Sequence, residues 1–222
     1  MSYETTVVKK PWGYEYLAYE NKDVALWFLH INHTHSTSLH CHPKKTTGLI
    51  LLNGKAEVSF FNDTNVLNPG NKVMIRKGLF HSTKATSVNG ASVFEIETPV
   101  DKQDLVRFRD SYGREGQPYE DSTHETPKAE DCLWIEDDVE KDYEFEKCTL
   151  SIRKVTEWSD FDNIDEHYNV MFLKGGMQTS YKQNVAGPGD IVRASVLQEL
   201  TNVFTDVHPK TLIMIIKPYE QQ

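Results

Sequence analysis

Between Val24 and Pro99 the chain is written in short β-rich runs broken by turn signals, and no other feature limits its fold as tightly. The runs are Val24–Ile31, Thr47–Leu52, Lys55–Phe61, Lys72–Ile75 and Ala91–Glu97. Strand-length segments recurring at this spacing predict an antiparallel sandwich or barrel. Asn53-Gly54 separates two of the runs and is the preferred pair for a type I′ hairpin turn. Asn62-Asp63-Thr64-Asn65 and Asn68-Pro69-Gly70-Asn71 mark two more reversals. From Gln103 to Gly113, Leu105, Phe108 and Tyr112 fall at roughly helical spacing, which predicts a short helix or turn closing the barrel.

An acidic stretch from Gln117 to Lys141 then has weak periodicity and packs in part through Leu133, Trp134 and Ile135. The β-pattern resumes at Cys148–Val155, Tyr168–Leu173, Asp190–Arg193, Leu200–Phe204 and Thr211–Ile216. Asn68-Pro69-Gly70-Asn71-Lys72-Val73 and Ala186-Gly187-Pro188-Gly189-Asp190-Ile191-Val192 are both turns opening onto an apolar strand, a local similarity that supports a degenerate repeat. The expected organisation is a β-domain over residues 1–116, an acidic linker over 117–144 and a smaller, degenerate β-domain over 145–222.

Composition narrows the function classes. Twenty-four basic against thirty-three acidic residues leave a formal charge of −9, which argues against nucleic acid or an anionic membrane as partner. Three cysteines at irregular spacing, no stretch of about 20 apolar residues, and a start without signal-peptide character predict a cytoplasmic protein.

Five of the nine histidines, His30, His33, His35, His40 and His42, lie within one short segment. In an extended strand, residues two apart share a face, so His40 and His42 can offer both imidazoles to one ion while Cys41 packs on the other side. His33 and His35 are expected in solvent, and His30 packed. A third ligand must come from another strand, and His81 is the candidate.

These residues resemble the two motifs of the cupin superfamily. His40, His42 and Gly54 fit the first, an H-x-H followed by a glutamate and a glycine. Gly70, Gly78 and His81 fit the second, with Arg76 where the family usually has proline. The resemblance implies an all-β, double-stranded β-helix (cupin or jelly-roll barrel) followed by a second, degenerate cupin-like domain. Thr47 stands at the family's glutamate position. The implied cofactor is a divalent transition metal, for which three imidazoles suit Zn²⁺, Fe²⁺, Ni²⁺ or Cu²⁺, with Mn²⁺ also a candidate.

Lys10-Pro11-Trp12-Gly13-Tyr14-Glu15 further resembles the opening "RPWG-x-x-E" of the isomerase domain of type II mannose-6-phosphate isomerases. Asp104-Leu105-Val106-Arg107-Phe108 with Tyr112-Gly113-Arg114 resembles its closing motif. The likeness covers about residues 8 to 115. It implies a metal-dependent sugar or sugar-phosphate isomerase or epimerase, placed in surface-carbohydrate precursor synthesis, with a small-molecule carbohydrate or sugar phosphate as partner. Lys45 and Arg114 match basic positions of that family and are candidate catalytic or phosphate-binding groups. Glu95 and Glu97 share a strand face, and Glu97 is the candidate base, although exposure is the ordinary state of either. A three-histidine iron dioxygenase and a non-catalytic sugar-binding scaffold are the competing readings. Sheet edges and faces of a half-barrel need cover, by the second domain or by a homodimer.

Overall fold

The computed structural model describes residues 5–117, 119, 127–137 and 139–219 of the 222-residue chain. The first half contains β1 (Val7–Lys10), β2 (Gly13–Glu20), β3 (Ala25–Ile31), β4 (Leu39–Cys41), β5 (Thr46–Asn53) and β6 (Ala56–Ser59). It continues with β7 (Thr64–Leu67), β8 (Lys72–Ile75), β9 (Ser82–Ala85), β10 (Ala91–Thr98) and β11 (Val106–Arg109). Six of these form an antiparallel back sheet in the order β1-β2-β3-β10-β5-β8. The other wall of the barrel is made by β7-β6-β9 and β11-β4, tied together by a backbone bridge between His40 and His81.

The back sheet is apolar on both faces, which is why β3 reads as a near-continuous hydrophobic run rather than an alternation. Trp27, Leu29, Leu49, Leu51 and Val93 fill the barrel. Leu26, Phe28, Ile50, Leu52, Phe94 and Ile96 point the other way and need a second layer.

The second half supplies that layer, with β12 (Lys141–Phe145), β13 (Cys148–Val155), β14 (Asn169–Lys174), β15 (Met177–Gln178), β16 (Asn184–Ala186) and β17 (Ile191–Arg193). Helix α1 (Ala194–Thr201), β18 (Asp206–Val207) and β19 (Thr211–Pro218) complete it. Leu150, Ile152, Met171, Met214 and Ile216 lie on the sheet β12-β13-β19-β14-β17 and pack on the back face of the first barrel. This sheet repeats the order β2-β3-β10-β5-β8.

The two glycine turns repeat too. Gly70 donates to the Leu51 carbonyl at 2.8 Å, and Gly189 to that of Phe172 at 3.0 Å. Each has a positive φ, and a Cβ there would sit 2.4 Å from Pro218 at the end of β19 or from Thr98 at the end of β10. Each turn thus packs against the long strand of the opposite half. The chain builds two double-stranded β-helices back to back, and the second is filled by Phe161, Phe172, Leu197 and their apolar neighbours.

Several expectations are corrected. Asn53-Gly54 is not a hairpin: Gly54 alone has positive φ, and the chain passes there from the back sheet (β5) to the front sheet (β6). The helical spacing at Gln103–Gly113 hides strand β11, whose Val106 and Arg107 pair with Cys41 and His40. Thr64 and Asn65, read as turn, open strand β7. Leu200 belongs to α1 and Phe204 follows it in a turn, so the strand expected at Leu200–Phe204 is absent. Here the helix carries Ala194 and Leu197 into the core of the second barrel. The stretch expected as linker already contains β12 and is tied to the first half, with Ile135 donating to the Ala18 carbonyl at 2.9 Å. Among the described residues no helix is long and apolar enough to cross a membrane.

Candidate metal centre

His40 lies on β4, His42 one residue beyond its end and His81 directly before β9. His40 and His81 exchange backbone bonds of 3.0 and 2.8 Å, which puts the two rings side by side. Ring centroids are 4.4 Å apart for His40–His81, 4.9 Å for His40–His42 and 5.5 Å for His42–His81. Their potential ligand atoms all lie within 4.8 Å of one another. Cys41 faces away and is buried, as alternation requires.

Each ring is oriented by a backbone carbonyl. Nδ1 of His40 reaches Ser38 O at 2.8 Å, that of His42 reaches Asp104 O at 2.6 Å and that of His81 reaches Leu79 O at 3.0 Å. A carbonyl only accepts, so the Nδ1 atoms carry the protons and the Nε2 lone pairs are left to converge. Burial, and then the neighbouring His81 and His42, hold His40 well below the usual imidazole range. Burial pushes His81 down to about 4, against its bond to Leu79. The His42 Nε2 is buried with no hydrogen-bond partner among the described residues. An orphaned nitrogen beside two neutral imidazoles fits a divalent transition metal.

Beside the triad lies a pocket that His40 and His42 line. Glu95 and Glu97 face it from β10, alternating with Phe94 and Ile96 on the opposite face. Exposure was the expectation for both carboxylates; the structure buries Glu97, together with Lys45, and leaves Glu95 part-buried. Lys45 and Glu97 are only 1% and 2% exposed and pair at 2.7 Å, so each neutralises a charge that neither could bury alone. The network extends from Glu97 to Lys102 at 3.9 Å, from Lys102 to Glu15 at 3.1 Å and from Glu15 to Lys10 at 3.7 Å.

Burial pushes the Glu15 carboxyl up, but Lys10 and Lys102, with the Tyr119 hydroxyl that donates to it, hold it below the usual range. Lys102 also lies 3.4 Å over the Trp27 ring. Arg114 also lines the pocket and is held by Asp110 at 2.9 and 2.6 Å.

Of the other histidines, His33 is exposed and His30 stacks on Tyr14 at 5.2 Å, both as expected. His35 is half-buried against Tyr112 rather than free in solvent.

Lys10, Glu15, Lys102, Asp104 and Tyr119 were not legible as site residues. Lys10, Glu15 and Asp104 fall inside the two terminal motifs, which was their one signal; Lys102 had none. Asp104 acts as a clamp: its carboxylate accepts from the amides of Lys44 at 2.8 Å and Lys45 at 3.0 Å, while its carbonyl orients His42. Asp104→Ala should cost about 2–3 kcal/mol, because hydrogen bonds to a charged acceptor are lost and buried amides are left bare. Urea denaturation checks it, and Asp104→Asn, which keeps one acceptor, should lose less.

Fold and site together define the class: a double-stranded β-helix carrying a histidine triad, backed by a second, degenerate β-helix. No family model and no curated protein matches the chain. Among solved structures it is similar to KdgF from Halomonas sp., at 15% identity and a TM-score of 0.40 over 41% of this chain and 84% of that one. It is also similar to a cupin-superfamily sugar phosphate isomerase from Silicibacter pomeroyi, at 9% identity and 0.39 over 43% and 64%. A third is the capsular polysaccharide assembling protein CapF from Staphylococcus aureus, at 15% and 0.41 over 47% and 34%.

Proposed function

We propose that the protein is a metal-dependent isomerase that moves a proton between adjacent carbons of a sugar phosphate. The buried Lys45–Glu97 pair, lining the same pocket as His40 and His42, carries this reading. His40, His42 and His81 would hold the ion, which when bound polarises a carbonyl and acidifies the neighbouring C–H. Glu97 takes that proton from one carbon and returns it to the next, so the C–H bond broken at C2 is replaced by one at C1. Lys45 keeps the Glu97 carboxylate in place and can donate to the oxygen that gains charge. The Trp27 and Leu29 side of the barrel limits water around both groups.

The charge of the pocket favours an anionic substrate within an acidic protein. Lys10, Lys45, Lys102, Arg107 and Arg114 line it against Glu15, Glu95 and Glu97. Asp110 pairs with Arg114 at this pocket. The anion we assign to these basic side chains is a phosphate.

The expected result is metal-dependent incorporation of solvent deuterium at carbon when the loaded protein meets a panel of sugar phosphates. Glu97→Gln should slow it by about 10²- to 10⁴-fold, the usual contribution of a general base. No exchange with any member of the panel overturns the proposal. Thr47, where a carboxylate would complete the motif, favours a second reading as a three-histidine iron dioxygenase; Fe²⁺-dependent oxygen uptake distinguishes it.

A further inference from the structure

We propose that Glu95 on β10 supplies the metal centre with the carboxylate that position 47 on β5 lacks. The inference rests on reading the three histidines as a metal site. Strands β5 and β10 are neighbours in the back sheet, with Thr47 opposite Glu97 and Leu49 opposite Glu95. Position 95 is therefore the diagonal neighbour of position 47, a step that long side chains span.

Thr47 itself cannot serve as the missing carboxylate. It is buried, its hydroxyl makes no hydrogen bond among the described residues, and it lacks the reach of a glutamate. Glu95 has the length to approach it: its Oε1 lies 3.7 Å from the His42 Nε2, although it stands outside the group of His40, His42 and His81 whose ligand atoms fall within 4.8 Å of one another.

That contact has no donor. The His42 ring proton is committed at Nδ1 to the Asp104 carbonyl, so its Nε2 is an acceptor, and so is the carboxylate. Two acceptors facing each other in a buried site repel unless a cation lies between them. The separation exceeds the roughly 2.7–3.2 Å of a hydrogen bond, so a shared proton does not bridge it. Two donors each about 2.1 Å from one ion are separated by a distance of this order. The carboxylate would add a hard, charged oxygen to three neutral nitrogens, extending the site's range towards Mn²⁺.

The test is the affinity of the apo-protein for Zn²⁺, by competition with a chromophoric chelator, in the wild type and three variants. Glu95→Gln should bind at least about 10-fold more weakly than Glu97→Gln, which removes the same charge one strand position away. Thr47→Val should stay within about 3-fold of wild type. Equal losses in Glu95→Gln and Glu97→Gln, or a loss in Thr47→Val matching that of Glu95→Gln, overturn the proposal. A Co²⁺ spectrum provides a second readout, in which Glu95→Asp and Glu95→Gln should shift the d–d bands. Unchanged bands in every Glu95 variant that folds overturn it as well. A wild-type protein that binds no stoichiometric metal overturns the reading of the triad itself, and is told apart because no variant comparison then arises.

Discussion

Stripping the metal with a chelator should lower the melting temperature of the wild-type protein by about 8–16 °C when the ion had been present at about 1,000 times its Kd. Binding to the folded state alone contributes about 4 kcal/mol under that condition, and each kcal/mol moves the midpoint of a chain this long by about 2–4 °C. The ligands come from distant parts of the first half: His40 and His42 flank the end of β4, and His81 precedes β9. The ion would therefore brace the front wall against local opening. His42→Ala removes the buried nitrogen that has no hydrogen-bond partner among the described residues, and should make thermal unfolding indifferent to chelator. Melting curves with and without chelator, together with elemental analysis, check both outcomes. A wild-type curve that ignores the chelator counts against a resident ion.

The second large effect is on stability. Phe28→Ala should cost about 3–5 kcal/mol, a large share of the roughly 5–15 kcal/mol that holds a protein folded. Phe28 is 1% exposed on the back face of the first barrel. Its ring lies 5.0 Å from Tyr16 and 6.1 Å from Phe94 in the first half, and 5.2 Å from Phe145 in the second. The cavity would open in the layer that joins the halves, so both should melt at the lower temperature in one transition. Val88→Ala is the control: it is 82% exposed, and a surface truncation of this kind stays within about 0.5 kcal/mol. Denaturation followed by tryptophan fluorescence and by circular dichroism reads the shift and tests whether the two probes coincide.

Strands whose two faces are both buried, β3 and β5, were legible as apolar runs, and the half-buried β8 and β13 match the expected bounds of Lys72–Ile75 and Cys148–Val155. Strands whose pattern is broken by polar residues were not: β9, Ser82–Ala85, carries no apolar signal and is set by pairing with β6. Strand β11 has a misleading helical spacing, and only its bridge to β4 places Arg107 at the pocket.

The site divides in the same way. The H-x-H of His40 and His42 is a local matter of strand geometry, and the spacing after Gly70 marks His81, so the amino-acid sequence alone determined the triad and the barrel that holds it. Which charges are buried was decided by the tertiary structure. Lys45 and Glu97, or Glu15 and Lys102, are ordinary surface residues until strands far apart in the chain bring each pair together. A charge enters an apolar interior only with its partner, and that partner is visible only in three dimensions. The same holds for Glu95, whose place beside His42 follows from the β5–β10 register and from nothing in its own neighbourhood along the chain.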